Sequence, residues 1–359
     1  PLPSPLLWPP PPAPARIAYI GRIAASSDLK PARDALQGLG EALFGKKDES
    51  AVVSPFAMCT DGGERLFVAD PGAQMVHVFD MGTRKYAQWK PAPPEQFTQP
   101  VGLAWDPAGR LLVCDSVGEA IFVFAADGTY KGKLGVGVLQ RPAGIAREPA
   151  TGRFFVADVY AHQVVVLSPE GELVRRIGER GAGMGQFNYP TNLAFDSKGR
   201  LYVSDSLNFR VQQFLPSPDL RFNRYIGRQG DVPGTFSQPK GIAVDSEDHV
   251  YVVDSRFENI QIFDDQGQLL LFLGEEGAGP GQFWLPAGAF IDARNRIWVA
   301  DTYNGRVQVF QYLPASPEAA DAEPATQPAT RPALPENWAP SKGGPVPVPT
   351  TIPTEEKTP

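Results

Sequence analysis

Residues 274–306 read GEEGAGPGQFWLPAGAFIDARNRIWVADTYNGR. From Pro286 a short apolar run leads to a polar turn, and a second apolar run ends in Asp301. The same pattern recurs at 55–70, 100–115, 142–158, 190–205 and 239–254. Five of the six segments span 15 positions and the third spans 16. The motif aspartates are Asp70, Asp115, Asp158, Asp205, Asp254 and Asp301, spaced 45, 43, 47, 49 and 47 residues apart. Self-similarity at that period marks a repeat architecture.

Each repeat holds four strand-like runs, in the fifth at 241–245, 250–254, 260–264 and 269–273. Gly or Asp marks the turns, as in Asp127-Gly128 and Gln266-Gly267. The second runs, such as Leu66-Phe67-Val68-Ala69, are apolar on both faces. A strand wetted on one side would alternate, so these are covered on both faces. Blades stacked face to face in a propeller provide that cover.

The last repeat lacks its fourth run. Ala18-Tyr19-Ile20-Gly21 resembles Arg224-Tyr225-Ile226-Gly227, so residues 16–22 are expected to close the last blade. That removes an exposed sheet edge. The expected fold is all-β, a six-bladed propeller over 16–313 closed by an N-terminal outer strand. A Pro-rich tail is expected over 1–15 and a Pro/Ala/Thr-rich tail over 314–359. An inserted helix is expected over about 28–45, with Asp28 as cap, Pro31 in the first turn, and Leu36, Leu39 and Leu43 as its apolar stripe. The run Trp8-Pro9-Pro10-Pro11-Pro12 predicts a stiff polyproline II lead.

Composition sets further bounds. Of 38 Pro, 8 lie in 1–14 and 12 in 314–359, so the body is not Pro-rich. The net charge of −7 argues against nucleic acid as the main partner. No apolar run approaches the ~20 residues of a membrane span. The two Cys form neither CxxC nor CxxCH. Cys59 and Cys114 read as small buried fillers, with a disulfide between repeats 1 and 2 as the alternative. The chain starts at Pro1, which reads as an exported chain after signal-peptide removal.

Strand order places the loop after each motif Asp, together with the connections between repeats, on one face, here the top. The six motif Asp are expected to bond backbone amides of their own loops, aided by Arg210 and Arg306 where those occur. His77, His162 and His249 fall in a strand, a top loop and a bottom turn, and do not converge on one metal ion. Tyr160, Phe209, Trp284 and Tyr303 are the expected binding residues of the top face, with Trp8 and Trp338 in the tails.

Gly274, Gly277, Gly281, Phe283, Pro286, Asp301, Asn304 and Arg306 carry a resemblance. The pattern is similar to the NHL repeat, and repeats 1, 2 and 3 depart from its Asn/Arg signature. The Pro-rich lead, closing strand and inserted segment ending in Phe44-Gly45 resemble exported bacterial NHL proteins. That resemblance implies a periplasmic, cell-surface or extracellular setting and multihaem cytochromes as partners. Asp158-Val159-Tyr160-Ala161-His162 also resembles a segment of the peptidyl-amidoglycolate lyases. The expected function is a non-enzymatic interaction scaffold with protein partners, docking or self-assembling through its tails, with no cofactor. A lyase or lactonase using a top central pocket, tested at His162, Tyr160 and Tyr303, is the alternative. Small-ligand binding without chemistry is a third reading.

Overall fold

A computed structural model describes residues 5–29 and 51–314. Within them, six antiparallel sheets follow one another along the chain. Blade 1 holds Ala57–Thr60, Arg65–Asp70, Met75–Asp80 and Lys85–Trp89. Blades 2 to 5 repeat that order, each starting at its motif proline: Pro100–Asp106, Pro142–Arg147, Pro190–Phe195 and Pro239–Val244. Blade 6 holds Ala289–Ile291, Arg296–Asp301 and Arg306–Tyr312, and takes Ile17–Ile23 as its fourth strand. The first strands contact one another in a closed ring and line the axis.

The core lies between blades rather than at one centre. Phe67 and Trp89 of blade 1 pack with Leu111 and Phe122 of blade 2. Equivalent clusters fill the other five interfaces, and Leu66, Val68, Trp298 and Val307 join blade 6 back to blade 1. This explains why the second strands are apolar on both faces: each side chain faces one neighbouring blade or the other. Each fully buried large residue contributes roughly 1.5–3 kcal/mol.

The ring closes as the repeat count requires, but in a different register. In blade 4, Ile226 pairs with Val211. The equivalent of Val211 in blade 6 is Val307, and it pairs with Ile23. Ile20 instead sits at a bulge between Tyr19 and Gly21 and is exposed. The closing strand is therefore shifted three residues from the alignment on Ile20-Gly21. In this register Tyr19 pairs with Phe310 and packs edge-on against its ring.

The N-terminal run is not a free polyproline lead. Leu7–Trp8 pairs antiparallel with Ala18 and Ile17 and adds a fifth strand to blade 6. Trp8 meets Phe310 edge-on at 5.6 Å, and the Pro run forms the reversal between the two strands.

The helix expected over 28–45 is not seen in the described part of that segment. Ser26–Leu29 is a 3-10 turn. Asp28 accepts the amides of Ala24 and Ala25, which precede it, instead of capping a downstream helix. The remainder of that expected helix, the tail after residue 314 and Trp338 lie outside the described residues. Cys59 and Cys114 are both free and buried, so the disulfide alternative is overturned.

Candidate functional site

The motif aspartates anchor the top loops. All six side chains are buried, and each accepts the backbone amide two residues before its blade's proline. Asp301 also takes Arg306 Nε at 2.6 Å, Asn304 Nδ2 at 3.0 Å and Gln308 Nε2 at 3.0 Å. Asp205 is held the same way by Arg210, Asn208 and Gln212. Blade 5 has Asn259 in place of the Arg, and Asp254 is bonded by backbone amides alone. Burial outweighs those amides and raises its carboxyl above the usual carboxylate range.

His77 replaces the glutamine of blades 4 to 6 and does similar work. Its Nε2 meets Asp70 at 3.0 Å and its Nδ1 meets Tyr86 Oη at 2.7 Å. Burial raises the Asp70 carboxyl, but His77 and the amides of Val53 and Ala73 outweigh it and hold it below its ordinary value. His162 Nδ1 accepts the amide of Tyr189 in the next blade, with the two rings edge-on at 4.8 Å. Burial lowers the pKa of that imidazole. His249 pairs with Asp245 in a bottom turn. Among the described residues, no group of three or more His, Cys, Asp or Glu is placed to hold a metal ion.

His162 belongs to a set that only the backbone reveals. Four residues after each motif Asp stand Gln74, Glu119, His162, Phe209, Glu258 and Gly305, with φ from 51° to 59°. Five are not glycine, so each accepts a conformation costing about 1 kcal/mol. Gln74, His162 and Glu258 use it to reach the following blade, at Thr98, Tyr189 and Leu285. The constant spacing of four was visible in the sequence; the left-handed backbone was not. Phe209, expected to bind ligand, instead packs against the Tyr202, Phe236 and Ile242 cluster. Glu258 is buried with no partner for Oε2. Burial first, then Glu276, pushes its carboxyl up to about 7.

The remaining top aromatics are exposed: Tyr160 by 54%, Trp284 by 50% and Tyr303 by 64%. Trp284 and Tyr303 lie 5.6 Å apart on blade 6. Tyr160 is on blade 3, under the Arg141 guanidinium at 4.6 Å. Blades 3 and 6 stand half a turn apart, so His162, Tyr160 and Tyr303 do not form one catalytic cluster. Val117 and Leu207 occupy the same loop position as Tyr160 and Tyr303, and Val53 the position of Trp284. All three are exposed, so the aromatics belong to a wider apolar crown that the sequence did not reveal.

Beneath the crown the channel narrows. A Cβ on Gly102 would lie 1.9 Å from the Ala143 carbonyl oxygen, and one on Gly288 would lie 2.3 Å from that of Phe56. Below this ring is a cavity of about 410 Å³, lined by first-strand residues including Met58, Trp105, Arg147, Asn192, Phe195 and Phe290. Neither His162, Tyr160 nor Tyr303 lines it.

Known proteins share parts of this arrangement. The NHL repeat matches residues 187–214, 236–263 and 283–310, in blades 4 to 6. Peptidylglycine alpha-amidating monooxygenase of Rattus norvegicus is 39% identical over 80 residues, 21% of this chain and 8% of that protein. The chain thus matches under a tenth of the length of that curated relative. Virginiamycin B lyase from Staphylococcus aureus superposes with a TM-score of 0.54 at 15% identity, over 73% of this chain and 96% of that one. A gluconolactonase from Xanthomonas campestris gives 0.57 at 18% identity, over 73% and 87%. At such identities the likeness is one of fold. Six congruent blades and three matched repeats make this chain a six-bladed β-propeller carrying NHL repeats.

Proposed function

We propose that this chain is a non-enzymatic interaction module whose top face docks a protein partner. One observation carries the reading. Val53, Val117, Tyr160, Leu207, Trp284 and Tyr303 stand exposed around the top face of a ring whose core is complete without them. Exposed apolar residues gathered on one face mark interaction surfaces, and aromatic anchors supply most of the binding energy in such surfaces. The ring is braced at every blade by its buried aspartates, so the loops that carry the crown need little backbone ordering on binding.

The lyase or lactonase alternative has the fold likeness in its favour, but its three test residues do not converge. The exported setting and the multihaem partner implied by the family resemblance are part of the proposal. Among the described residues no helix is long and apolar enough to cross a membrane. The test is a comparison of proteins co-purifying with the native chain and with the Trp284→Ala/Tyr303→Ala variant. A partner lost in the variant, with an unchanged unfolding midpoint, is the expected result. Identical partners in both sink the reading. Haem absorbance in the lost fraction would identify the cytochrome.

A further inference from the structure

The pseudo-symmetry of the blades lets one loop position be compared six times. The top-face positions flanking each inner strand and each motif Asp are the two residues before each motif proline, the residue after it, and the three after each motif Asp. Among the described residues these positions carry only three charged side chains, Arg141, Lys240 and Arg256. All three are cations, in a chain whose net charge is −7. Of the top-face acids, Glu119, Glu179, Asp231, Glu275 and Glu276 are exposed, Glu95 pairs with Lys133, and Glu258 is buried. The six motif carboxylates are buried and bonded to their own loops, and of the three cations Lys240 feels one of them, Asp254.

Each cation is differently prepared. Lys240 follows Pro239 in the first strand of blade 5 and is half-buried at the channel mouth. It has no ion pair among the described residues, and burial, partly offset by Asp254, lowers the pKa of its ammonium. Arg256 is exposed and its side chain likewise has no ion pair among the described residues. Arg141 is held over Tyr160 and donates to its hydroxyl at 2.8 Å, which fixes its direction. A partly desolvated cation without a partner gains more from a carboxylate than an exposed one does.

We infer that the mouth of the propeller recognises a peptide segment bearing carboxylates next to aromatic or aliphatic side chains. Lys240, Arg256 and Arg141 take the carboxylates, and Tyr160, Leu207, Trp284 and Tyr303 take the apolar groups. This rests on the docking reading above and names the chemistry of the partner. A nucleic acid is the poorer fit: three cations beside outer loops of mixed charge, in a chain of net charge −7, offer little to a long polyanion but accept a short anionic segment.

The probe is a fluorescent random copolymer of Glu and Tyr, titrated into the full chain and followed by anisotropy. Binding is expected, weakening as salt rises. The Lys240→Gln/Arg256→Gln variant is expected to bind about tenfold more weakly. Arg256→Gln alone, at an exposed site that cannot disturb folding, is expected to show part of that loss. No binding of the copolymer, equal binding of a Lys–Tyr copolymer, tighter binding of a single-stranded oligonucleotide, or unchanged affinity in both charge variants each overturns the inference. If Trp284→Ala/Tyr303→Ala abolishes binding while the charge variants bind as wild type, the carboxylate inference fails and the docking reading survives. If only the aromatic variant is without effect, the docking reading fails on its own terms.

Discussion

Arg306 donates Nε to Oδ2 of Asp301 at 2.6 Å, with Arg306 only 3% exposed and Asp301 fully buried. Its two other nitrogens reach the carbonyls of Ala278, Gly279 and Gln282 in the connection from blade 5. One guanidinium thus ties a buried carboxylate to the Gly-rich loop. Arg306→Met leaves that carboxylate short of its charged partner and is expected to destabilise the chain by about 3–5 kcal/mol. Urea unfolding measures this. A loss below about 1 kcal/mol would show that Asn304 and Gln308 suffice to hold Asp301.

Gly102 and Gly288 sit where neighbouring first strands approach most closely. Gly102→Ala drives a methyl into the Ala143 carbonyl and is expected to cost about 1–3 kcal/mol or more. Thermal unfolding of Gly102→Ala beside Gly82→Ala, where a Cβ would come no nearer than 3.3 Å to Glu64, checks this. Equal midpoints for the two variants would contradict the narrow channel.

Glu258 predicts a pH dependence. Its carboxyl is raised by burial to about 7 in the folded chain, above the unfolded value of 4.5. A raised folded value gives stability that is complete below the unfolded value and is lost as pH climbs through the folded one. Above about pH 7 the wild type therefore carries a buried unpaired charge. Glu258→Gln keeps an acceptor for the Leu285 amide and does not titrate. It is expected to be more stable than wild type by about 3 kcal/mol at about pH 8, with the gap closing near pH 4.5. Unfolding midpoints across that range decide, and a constant gap would refute the assignment.

Cys59 and Cys114 are buried, and burial pushes both thiols far above their ordinary pKa. Thiolate chemistry needs the opposite. Native chain is expected to resist iodoacetamide, and both thiols to label in denaturant without a reducing agent. Mass spectrometry reads this directly. Labelling of either one in the folded chain would contradict their placement.

Trp8 links the N-terminal strand to blade 6 through Phe310, beside Gly281. Trp8→Ala is expected to lower stability by about 2–3 kcal/mol. If the midpoint stays within about 0.5 kcal/mol of wild type, the fifth strand does not support the ring.

Much of this protein was legible in its sequence. The recurring Pro and Asp set the blade count, the apolar second strands announced cover on both faces, and the missing last strand pointed to the N-terminus for closure. These are local or periodic signals, written in residues a few positions apart. The register of closure was not legible, because it pairs Tyr19 with Phe310 across the whole chain. Nor was the fate of Trp8, where local Pro content suggested an extended lead and pairing with Ile17 and Ala18 overrode it. The crown and the three cations were decided only by the ring. Val53, Val117, Arg141, Tyr160, Leu207, Lys240, Arg256, Trp284 and Tyr303 are scattered over 250 positions of sequence. Only six-fold stacking brings equivalent loop positions to one face, where their charges and exposed rings can act together.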